Sequence, residues 1–275
     1  MPGQRFAEEP NWVDDGALEL GVCSYAVIAG DEALVYDTHI SVPHAAAIRA
    51  ELEHLGATRI TVVLSHWHLD HIAGTEAFAD CEIIANDLTA SLLAEHRADI
   101  EGGRRAGPPP IAPLILPTTT FTGRSHLDVG GVGVDLVELD IHSRDATVLL
   151  VPGEGLLLAG DTLEDTVTYV SEPDGLERHV AELDRLRSLG FDRIYPNHGS
   201  VEMIQGGGYG EGLITATQEY IGGLLRHETD PRPDDADLRA FLVGPLAAGW
   251  VTYFEPYERV HASNLESVSN RKVEG

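Results

Sequence analysis

Apolar runs that alternate with amphipathic segments in the first hundred residues predict strands that are each followed by a helix. LELGVCSYAVIA and EALVYD have strand character, and a helix is expected from about Pro43 to Leu55, where proline suits the first turn and Gly56 a C-terminal stop. The short apolar run ITVVLS predicts a buried strand, and CEIIA and DLTASLLAEHR predict a second strand–helix pair. This order is typical of an α/β fold.

The pattern changes at residues 100–120, where glycine and proline are too frequent for a regular element of any length. We expect a long surface loop there, able to overhang a pocket. After it, SHLDV, VGVDLVELD, TVLLVP and GLLLAG have strand character and are joined by glycine-containing turns, consistent with hairpins. A helix over about 174–189, a short strand RIYP and a helix over about 212–227 follow, and the tail from residue 231 is expected to be partly helical.

Composition narrows the classes of partner. The 45 acidic residues outnumber the 18 basic ones and give a net charge of −27, which repels a polyanion and disfavours nucleic acids. Cys23 and Cys81 are too few for a disulfide framework and are not spaced as a thiolate metal site. No apolar stretch approaches the roughly 18 to 20 residues that cross a bilayer, and no secretion signal is recognised. We expect a cytoplasmic protein without membrane partners, and the sequence allows a homodimer.

The segment SHWHLDH places three histidines and an aspartate directly after a predicted buried strand. If the strand continued, His66, His68 and Asp70 would face a common point and His71 would face away. His71 joins them only if the chain curls, which the nearby Gly74 permits. These four side chains can supply parts of two metal sites rather than one complete tetrahedron, so further ligands must come from elsewhere.

Three isolated residues of ligand type follow later strand-like runs. His142 follows VDLVELDI, Asp161 follows GLLLAG, and His198 follows RIYPN. A lone histidine is more often a surface or hydrogen-bonded residue than a metal ligand. The coincidence of three such strand ends with the SHWHLDH cluster nevertheless favours metal binding.

SHWHLDH resembles the His-x-His-x-Asp-His signature of the metallo-β-lactamase superfamily, and LDIHSRD, LLLAGDTL and PNHGS resemble its remaining metal-binding motifs in their usual order. The resemblance implies a four-layer αβ/βα sandwich with metals at one edge of two mixed sheets. It implies a hydrolase domain over residues 11–228, on which a partly helical extension over residues 229–275 packs. It also implies one metal held by His66, His68 and His142, a second held by Asp70, His71 and His198, Asp161 bridging both, and Asp37 supporting the metal loops.

Departures from the common motifs bear on the activity. Ile141 and Asp145 stand where many hydrolytic members have glycine, although a His-Ser/Thr-x-Asp variant occurs among true β-lactamases. Those β-lactamases typically carry cysteine or serine at the position of Asp161, whereas aspartate resembles thioesterases, lactonases and phosphodiesterases. We therefore expect a hydrolase of a small-molecule lactone, ester or thioester. The alternatives are phosphodiesterase or β-lactamase activity at the same site, and a mononuclear iron dioxygenase of the persulfide type.

The implied ligand set of five imidazoles and two carboxylates suits two zinc ions per chain, with iron or manganese as alternatives. Two divalent ions, two aspartates and a bridging hydroxide leave a net charge of about +1, which attracts a carbonyl oxygen or an anion. The hydroxide is expected to attack an acyl carbon, and Asp70 is the candidate catalytic residue that helps to protonate the leaving group. Trp67 and Tyr169 are candidate substrate contacts, and core packing would explain them equally well.

Overall fold

Two mixed β-sheets, each covered on its outer face by helices, form the fold in a computed structural model that describes residues 20–271. The strands of the first sheet follow one another in chain order: β1 (Tyr25–Ala29), β2 (Glu32–Tyr36), β3 (Arg59–Val63), β4 (Glu82–Asn86) and β5 (Thr119–Phe121). β1 is antiparallel to β2, and the other neighbours are parallel. The helices of this half are α1 (Val42–His54), α2 (Leu69–Ile72) and α3 (Asp87–Glu101).

The second sheet has the order β10-β9-β8-β7-β6. Its strands are β6 (Arg124–Val129), β7 (Val132–Ile141), β8 (Ser143–Val151), β9 (Leu156–Gly160) and β10 (Arg193–Pro196). β9 and β10 are parallel and are connected through α4 (Leu176–Arg187), whereas the other neighbours are antiparallel. The remaining helices are α5 (Val201–Gln205), α6 (Gly212–Thr229), α7 (Leu238–Phe241), α8 (Val243–Ala248) and α9 (Tyr257–Ser269).

Successive side chains of a strand point to opposite sides of the sheet. Because both faces of the central strands are covered, consecutive residues of these strands are apolar. In β2, Leu34 enters the layer between the two sheets, whereas Val35 packs into the layer that also contains α1 and α3. In β8, Leu149 enters the layer between the sheets and Leu150 packs with α4, α6 and α9. The resulting order of helices, sheet, sheet and helices confirms the predicted αβ/βα sandwich.

Local signals explain where the helices begin. Ser41 caps α1 by accepting a hydrogen bond from the backbone N–H of His44, and Asn86 caps α3 by accepting one from Thr89. The helix expected from residue 174 begins two residues later, because residues 173–175 form a 3₁₀ turn. The first two residues of the predicted strand LELGVCSYAVIA lie outside the described residues, and the regular strand within it is β1.

The proline-rich connection between α3 and β5 is shorter than predicted. Residues 102–118 contain no helix or strand, but residues 100–101 belong to α3 and residues 119–120 to β5. Ile111 and Leu114 are buried in the layer between the first sheet and its helices. The connection is therefore anchored to the core through these two side chains, and the partly buried Ile115 and Leu116 pack against the same layer.

Residues 229–271 contain the helices α7, α8 and α9 and pack on the helices of the second sheet. The buried Asn264 of α9 donates hydrogen bonds to the hydroxyl of Tyr220 on α6, over 2.9 Å, and to the carbonyl oxygen of Thr168, over 2.8 Å. The division of the chain at residue 228 stays a prediction. Within residues 20–271, no helix combines the length and the apolar character needed to cross a bilayer.

Candidate metal centre

Four strand ends bring the seven predicted ligands to one edge of the sandwich. The ligands follow β3, β7, β9 and β10, and are His66, His68, Asp70, His71, His142, Asp161 and His198. The strand does not continue through the SHWHLDH segment: β3 ends at Val63, the chain curls, and the short helix α2 begins at Leu69. This helix groups Asp70 with His71, instead of with the two histidines that precede it.

His66, His68 and His142 form the first cluster, in which the candidate ligand nitrogens lie within 4.8 Å of one another. Nε2 of His142 is 3.1 Å from Nδ1 of His68. Nitrogens that bind one tetrahedral zinc ion at about 2.0 Å are about 3.3 Å apart, so this separation fits two ligands of a shared ion. His142 belongs to the tight connection between β7 and β8 and has a left-handed backbone, with φ of 65°.

Asp70, His71, Asp161 and His198 form the second cluster, again with all ligand atoms within 4.8 Å. Nε2 of His198 is 3.1 Å from Oδ2 of Asp70. Nε2 of His71 is 3.0 Å from Oδ2 of Asp161 and 3.4 Å from Oδ2 of Asp70. The two imidazoles thus lie against two carboxylates, an arrangement that suits a divalent cation.

Asp161 lies between the two clusters. Its Oδ2 atom is 3.8 Å from Nε2 of His66 and 3.7 Å from Nε2 of His142, both in the first cluster. The same oxygen is 3.0 Å from Nε2 of His71 and 3.5 Å from Nε2 of His198 in the second. One carboxylate oxygen therefore reaches the ring nitrogens of both clusters.

Nε2 of His66 and Oδ1 of Asp161 are among the buried atoms at this centre that have no hydrogen-bond partner within residues 20–271. Buried polar atoms are almost always satisfied, so such atoms need an explanation. Both carry lone pairs that a cation accepts, and both belong to side chains that are at most 5% exposed. The residues present therefore fit a metal centre.

The charges within the centre favour a cation. Burial and the neighbouring histidines lower the pKa of His68 to about 3 and the pKa of His66 well below its usual range, so both rings are neutral at pH 7. Burial opposes ionisation of Asp161, but His71 and His198 hold its pKa below the ordinary value. For His198, the nearby carboxylates outweigh burial and raise the pKa to about 9. Asp161 is therefore ionised, and the neutral rings of His66 and His68 each keep a lone pair that a cation can accept.

Asp37, which the resemblance implies to support the metal loops, lies beside His71. It is fully buried, and its Oδ2 lies 2.8 Å from Nδ1 of His71, on the side of the ring away from Asp161. Carboxylates in this position orient an imidazole and fix its tautomer. Asp37 itself is not among the residues of either cluster.

Two supporting carboxylates were not identified from the sequence. Oδ2 of Asp145 accepts a hydrogen bond from the backbone N–H of Trp67 over 3.0 Å, and thereby fixes the chain between two ligands. Glu164 lies 3.3 Å from Nδ1 of His142. Asp145 was visible only as a departure from the common motif, and the signal for Glu164 was its place three residues after Asp161 in GDTLED.

A cavity of about 490 Å³ opens on the centre, and the predicted substrate contacts Trp67 and Tyr169 both line it. Trp67 is 8% exposed and stacks on His96, with ring centres 4.9 Å apart, so much of its ring serves packing. Tyr169 is 43% exposed, and its ring centre is 6.5 Å from that of His142. Tyr169 is therefore the more accessible of the two.

Comparison with known proteins agrees with this architecture. The family model described as "Metallo-beta-lactamase superfamily" matches residues 18–198, a range that includes all seven predicted ligands. A metallo-beta-lactamase from Pontibacter korlensis has a similar structure, with a TM-score of 0.59 and 18% sequence identity. The similarity covers 74% of this chain and 87% of that one, and it concerns the fold.

Two curated relatives carry more specific names. The lactamase-like protein vrtG of Penicillium aethiopicum is 30% identical over 191 residues, which cover 68% of this chain and 54% of the relative. The atrochrysone carboxyl ACP thioesterase of Aspergillus fumigatus is 28% identical over 188 residues, which cover 68% of this chain and 53% of the relative. The chain spans about half the length of the curated relatives that it matches.

Proposed function

The chain belongs to the metallo-β-lactamase superfamily, and from this premise we propose that it is a metal-dependent hydrolase of a small-molecule acyl substrate: a lactone, ester or thioester. The observation that carries this proposal is the place of Asp161, whose Oδ2 lies 3.0 to 3.8 Å from ring nitrogens of both clusters. Two-metal hydrolytic sites hold their ions roughly 3.5 to 4 Å apart, and a shared carboxylate between two ligand clusters suits such a pair.

Two zinc ions are the proposed cofactors, and the nitrogen and oxygen donors would also accept iron or manganese. The first cluster would hold one ion and the second cluster the other, with Asp161 shared between them. Bound there, two divalent ions lower the pKa of coordinated water towards 7 and polarise the carbonyl oxygen of the substrate.

Asp70 is the proposed catalytic residue among the ligands. Its side chain is 22% exposed and lines the cavity, so the carboxylate can reach a bound substrate. Burial opposes its ionisation, but His71 and His198 hold its pKa well below the usual range. The proposed role of Asp70 is to help protonate the leaving group by passing on a proton that the attacking water releases.

The choice of an acyl substrate rests on two supports. Aspartate at position 161 resembles the thioesterase, lactonase and phosphodiesterase branches, and one of the curated relatives is named a thioesterase. Trp67 and Tyr169 would contact the substrate from the wall of the cavity. Phosphodiester or β-lactam hydrolysis, and persulfide oxidation at a single iron, are the competing outcomes of the test.

The test measures metal content and substrate range on one preparation. We expect two zinc ions per chain and hydrolysis of a thioester, ester or lactone in preference to bis(p-nitrophenyl) phosphate and a chromogenic β-lactam. The variants His66→Ala and Asp161→Ala should lose both metal and turnover. His126→Ala is the matched control, because His126 is exposed on β6 and pairs with Asp135. One iron per chain with oxygen uptake, or full activity in both ligand variants, would refute the proposal.

Location and assembly are separate proposals. A cytoplasmic location rests on the composition and on two free cysteines, Cys23 and Cys81, and cell fractionation tests it. A homodimer is the assembly to look for, and light scattering on the purified chain measures it.

A further inference from the structure

An arginine lies beside the cavity that opens on the metal centre. Arg105, in the connection after α3, lines this cavity together with Trp67, His68 and Tyr169. Among the described residues that line it, Arg105 is the only arginine or lysine. Because the chain has a net charge of −27, Arg105 supplies a positive charge where most of the surface is acidic.

Arg105 is held over an aromatic ring. Its guanidinium carbon lies 4.0 Å from the centre of the Trp67 ring, a distance typical of a cation–π contact. The ring itself is fixed, because its other contacts include the stacked His96 and because Asp145 accepts a hydrogen bond from the Trp67 backbone. The guanidinium therefore rests on a rigid surface.

The donors of Arg105 have no acceptor in the described part of the chain. Within residues 20–271, its guanidinium forms neither a hydrogen bond nor an ion pair. The adjacent Arg104 differs: its Nε donates to Oδ1 of Asp99 over 2.8 Å, and its Nη2 donates to the carbonyl oxygen of Ala98 over 2.7 Å. Arginine carries five N–H donors in a planar fork that matches carboxylate and phosphate oxygens. Arg105 thus offers this fork to whatever occupies the cavity.

We propose that Arg105 and Trp67 form a binding subsite for an anionic group of the substrate. The centre of the Trp67 ring is 6.0 Å from the centre of the His68 ring. The Trp67 ring therefore contacts the Arg105 guanidinium and also lies close to a predicted metal ligand. The inference rests on the proposed function and sharpens it: the substrate is an acyl compound with a carboxylate or a phosphate-like group a few atoms from the scissile bond. The anion binds Arg105 while the acyl carbon lies at the metal centre.

Matched esters test this proposal on the metal-loaded protein. The neutral ester is p-nitrophenyl butyrate, and the anionic esters are mono-p-nitrophenyl glutarate and p-nitrophenyl phosphonobutyrate, which separate a carboxylate from a phosphate-like group. We expect kcat/KM to be higher for an anionic ester, and Arg105→Gln to lower the anionic-to-neutral ratio by about 10- to 100-fold, chiefly through KM. Arg105→Lys should restore part of the anionic-to-neutral ratio, because lysine supplies the positive charge but lacks the planar N–H donors of the guanidinium. Arg104→Gln, the matched control, should leave the ratio unchanged.

Calorimetry separates this inference from the proposed function. The amide analogues, glutaric acid monoanilide and butyranilide, resist hydrolysis and report binding alone. The anionic anilide should bind more tightly than the neutral one, and Arg105→Gln should remove this preference. If no ester, thioester or lactone is hydrolysed but the preference holds, the proposed function fails and the subsite stands. If the wild type shows no preference for anions, or Arg105→Gln changes both anilides equally, the subsite is refuted.

Discussion

Asp37 contacts His71 on the side of the ring that faces away from Asp161, with Oδ2 of the carboxylate 2.8 Å from Nδ1 of the ring. The same carboxylate accepts hydrogen bonds from the backbone N–H and the hydroxyl of Ser65, over 2.7 and 2.6 Å, and from the side-chain amide of Asn197, over 2.6 Å. Ser65 precedes His66 in the chain, and Asn197 belongs to the second sheet's side of the centre. One buried side chain thus fixes ligand segments from both halves of the fold.

Asp37→Asn should weaken metal binding by roughly 10- to 100-fold, because an amide of the same shape cannot accept all the hydrogen bonds that hold His71 and its neighbours. Competition between the protein and a chromophoric chelator measures the metal affinity. Asp31→Asn is the control, since Asp31 is exposed and pairs only with surface groups such as Arg59. An Asp37→Asn variant that binds metal as tightly as the wild type would show that the carboxylate does not support the ligands.

Glu164 links a predicted ligand to the C-terminal helix α9. Its Oε1 atom lies 3.3 Å from Nδ1 of His142, and its Oε2 atom accepts a hydrogen bond from the hydroxyl of Tyr257 over 3.3 Å. We expect Glu164→Gln to lower metal affinity by about tenfold through loss of the orienting carboxylate. Tyr257→Phe should cost less, since the hydrogen bond it removes is long. Metal titration of both variants checks the order, with the exposed Glu154→Gln as control. A larger loss in Tyr257→Phe than in Glu164→Gln would contradict this role.

Asn264 joins α9 to the wall of the cavity. Its side chain accepts from the N–H of Val170 over 2.9 Å and donates to the carbonyl of Thr168, the two neighbours of Tyr169. Asn264→Ala should lower the free energy of unfolding by about 3 kcal/mol, because buried backbone groups lose their partners. KM should rise as well, since Tyr169 loses its fixed backbone. Urea unfolding and kinetics are compared with Ser263→Ala, an exposed neighbour; equal effects of both variants would contradict the prediction.

Asp235 gives the C-terminal segment a defined pH dependence. The hydrogen bonds from Arg226, with further ones from His227 and the backbone of Arg232, hold the pKa of Asp235 well below its ordinary value. The ionised form therefore stabilises the fold above the ordinary aspartate pKa of about 4, and this contribution is lost as the pH falls through the lowered pKa.

Asp235→Asn should accordingly lower the free energy of unfolding by about 2 kcal/mol near pH 7, and the difference from the wild type should shrink as the pH falls below about 4. Urea unfolding across this pH range measures it. Asp234→Asn, at an exposed neighbouring position, should behave as the wild type does. A difference that stays constant with pH would mean that the charge of Asp235 is not responsible.

Local patterns predict the alternation of strands and helices and the ligand-type residues that follow the strands, whereas the sandwich and the grouping of the ligands come from the resemblance to the superfamily. Apolar runs such as that of β3 mark buried strands, and each predicted ligand follows one of these strands within a few residues. The short helix α2, which contains Asp70 and His71, was not predicted, since four residues make too few turns to show a period.

Contacts between distant segments could not be read from the chain. Glu164 and Tyr257 are 93 positions apart, and Asn264 and Thr168 are 96 positions apart, so no local pattern connects them. Arg105 lies in a stretch whose glycines and prolines predict only the absence of regular structure. Its contact with Trp67 joins residues 38 positions apart, which no local pattern connects.

The layer between the sheets has a consequence for how the protein assembles. Four predicted ligands follow β3 of the first sheet, and His142, Asp161 and His198 follow strands of the second. Neither cluster is complete until the two sheets dock across residues such as Leu34 and Leu149. Metal affinity should therefore report whether the two sheets are docked. A partly folded chain that keeps its helices but loosens the layer between the sheets should lose bound metal before it loses its helical content.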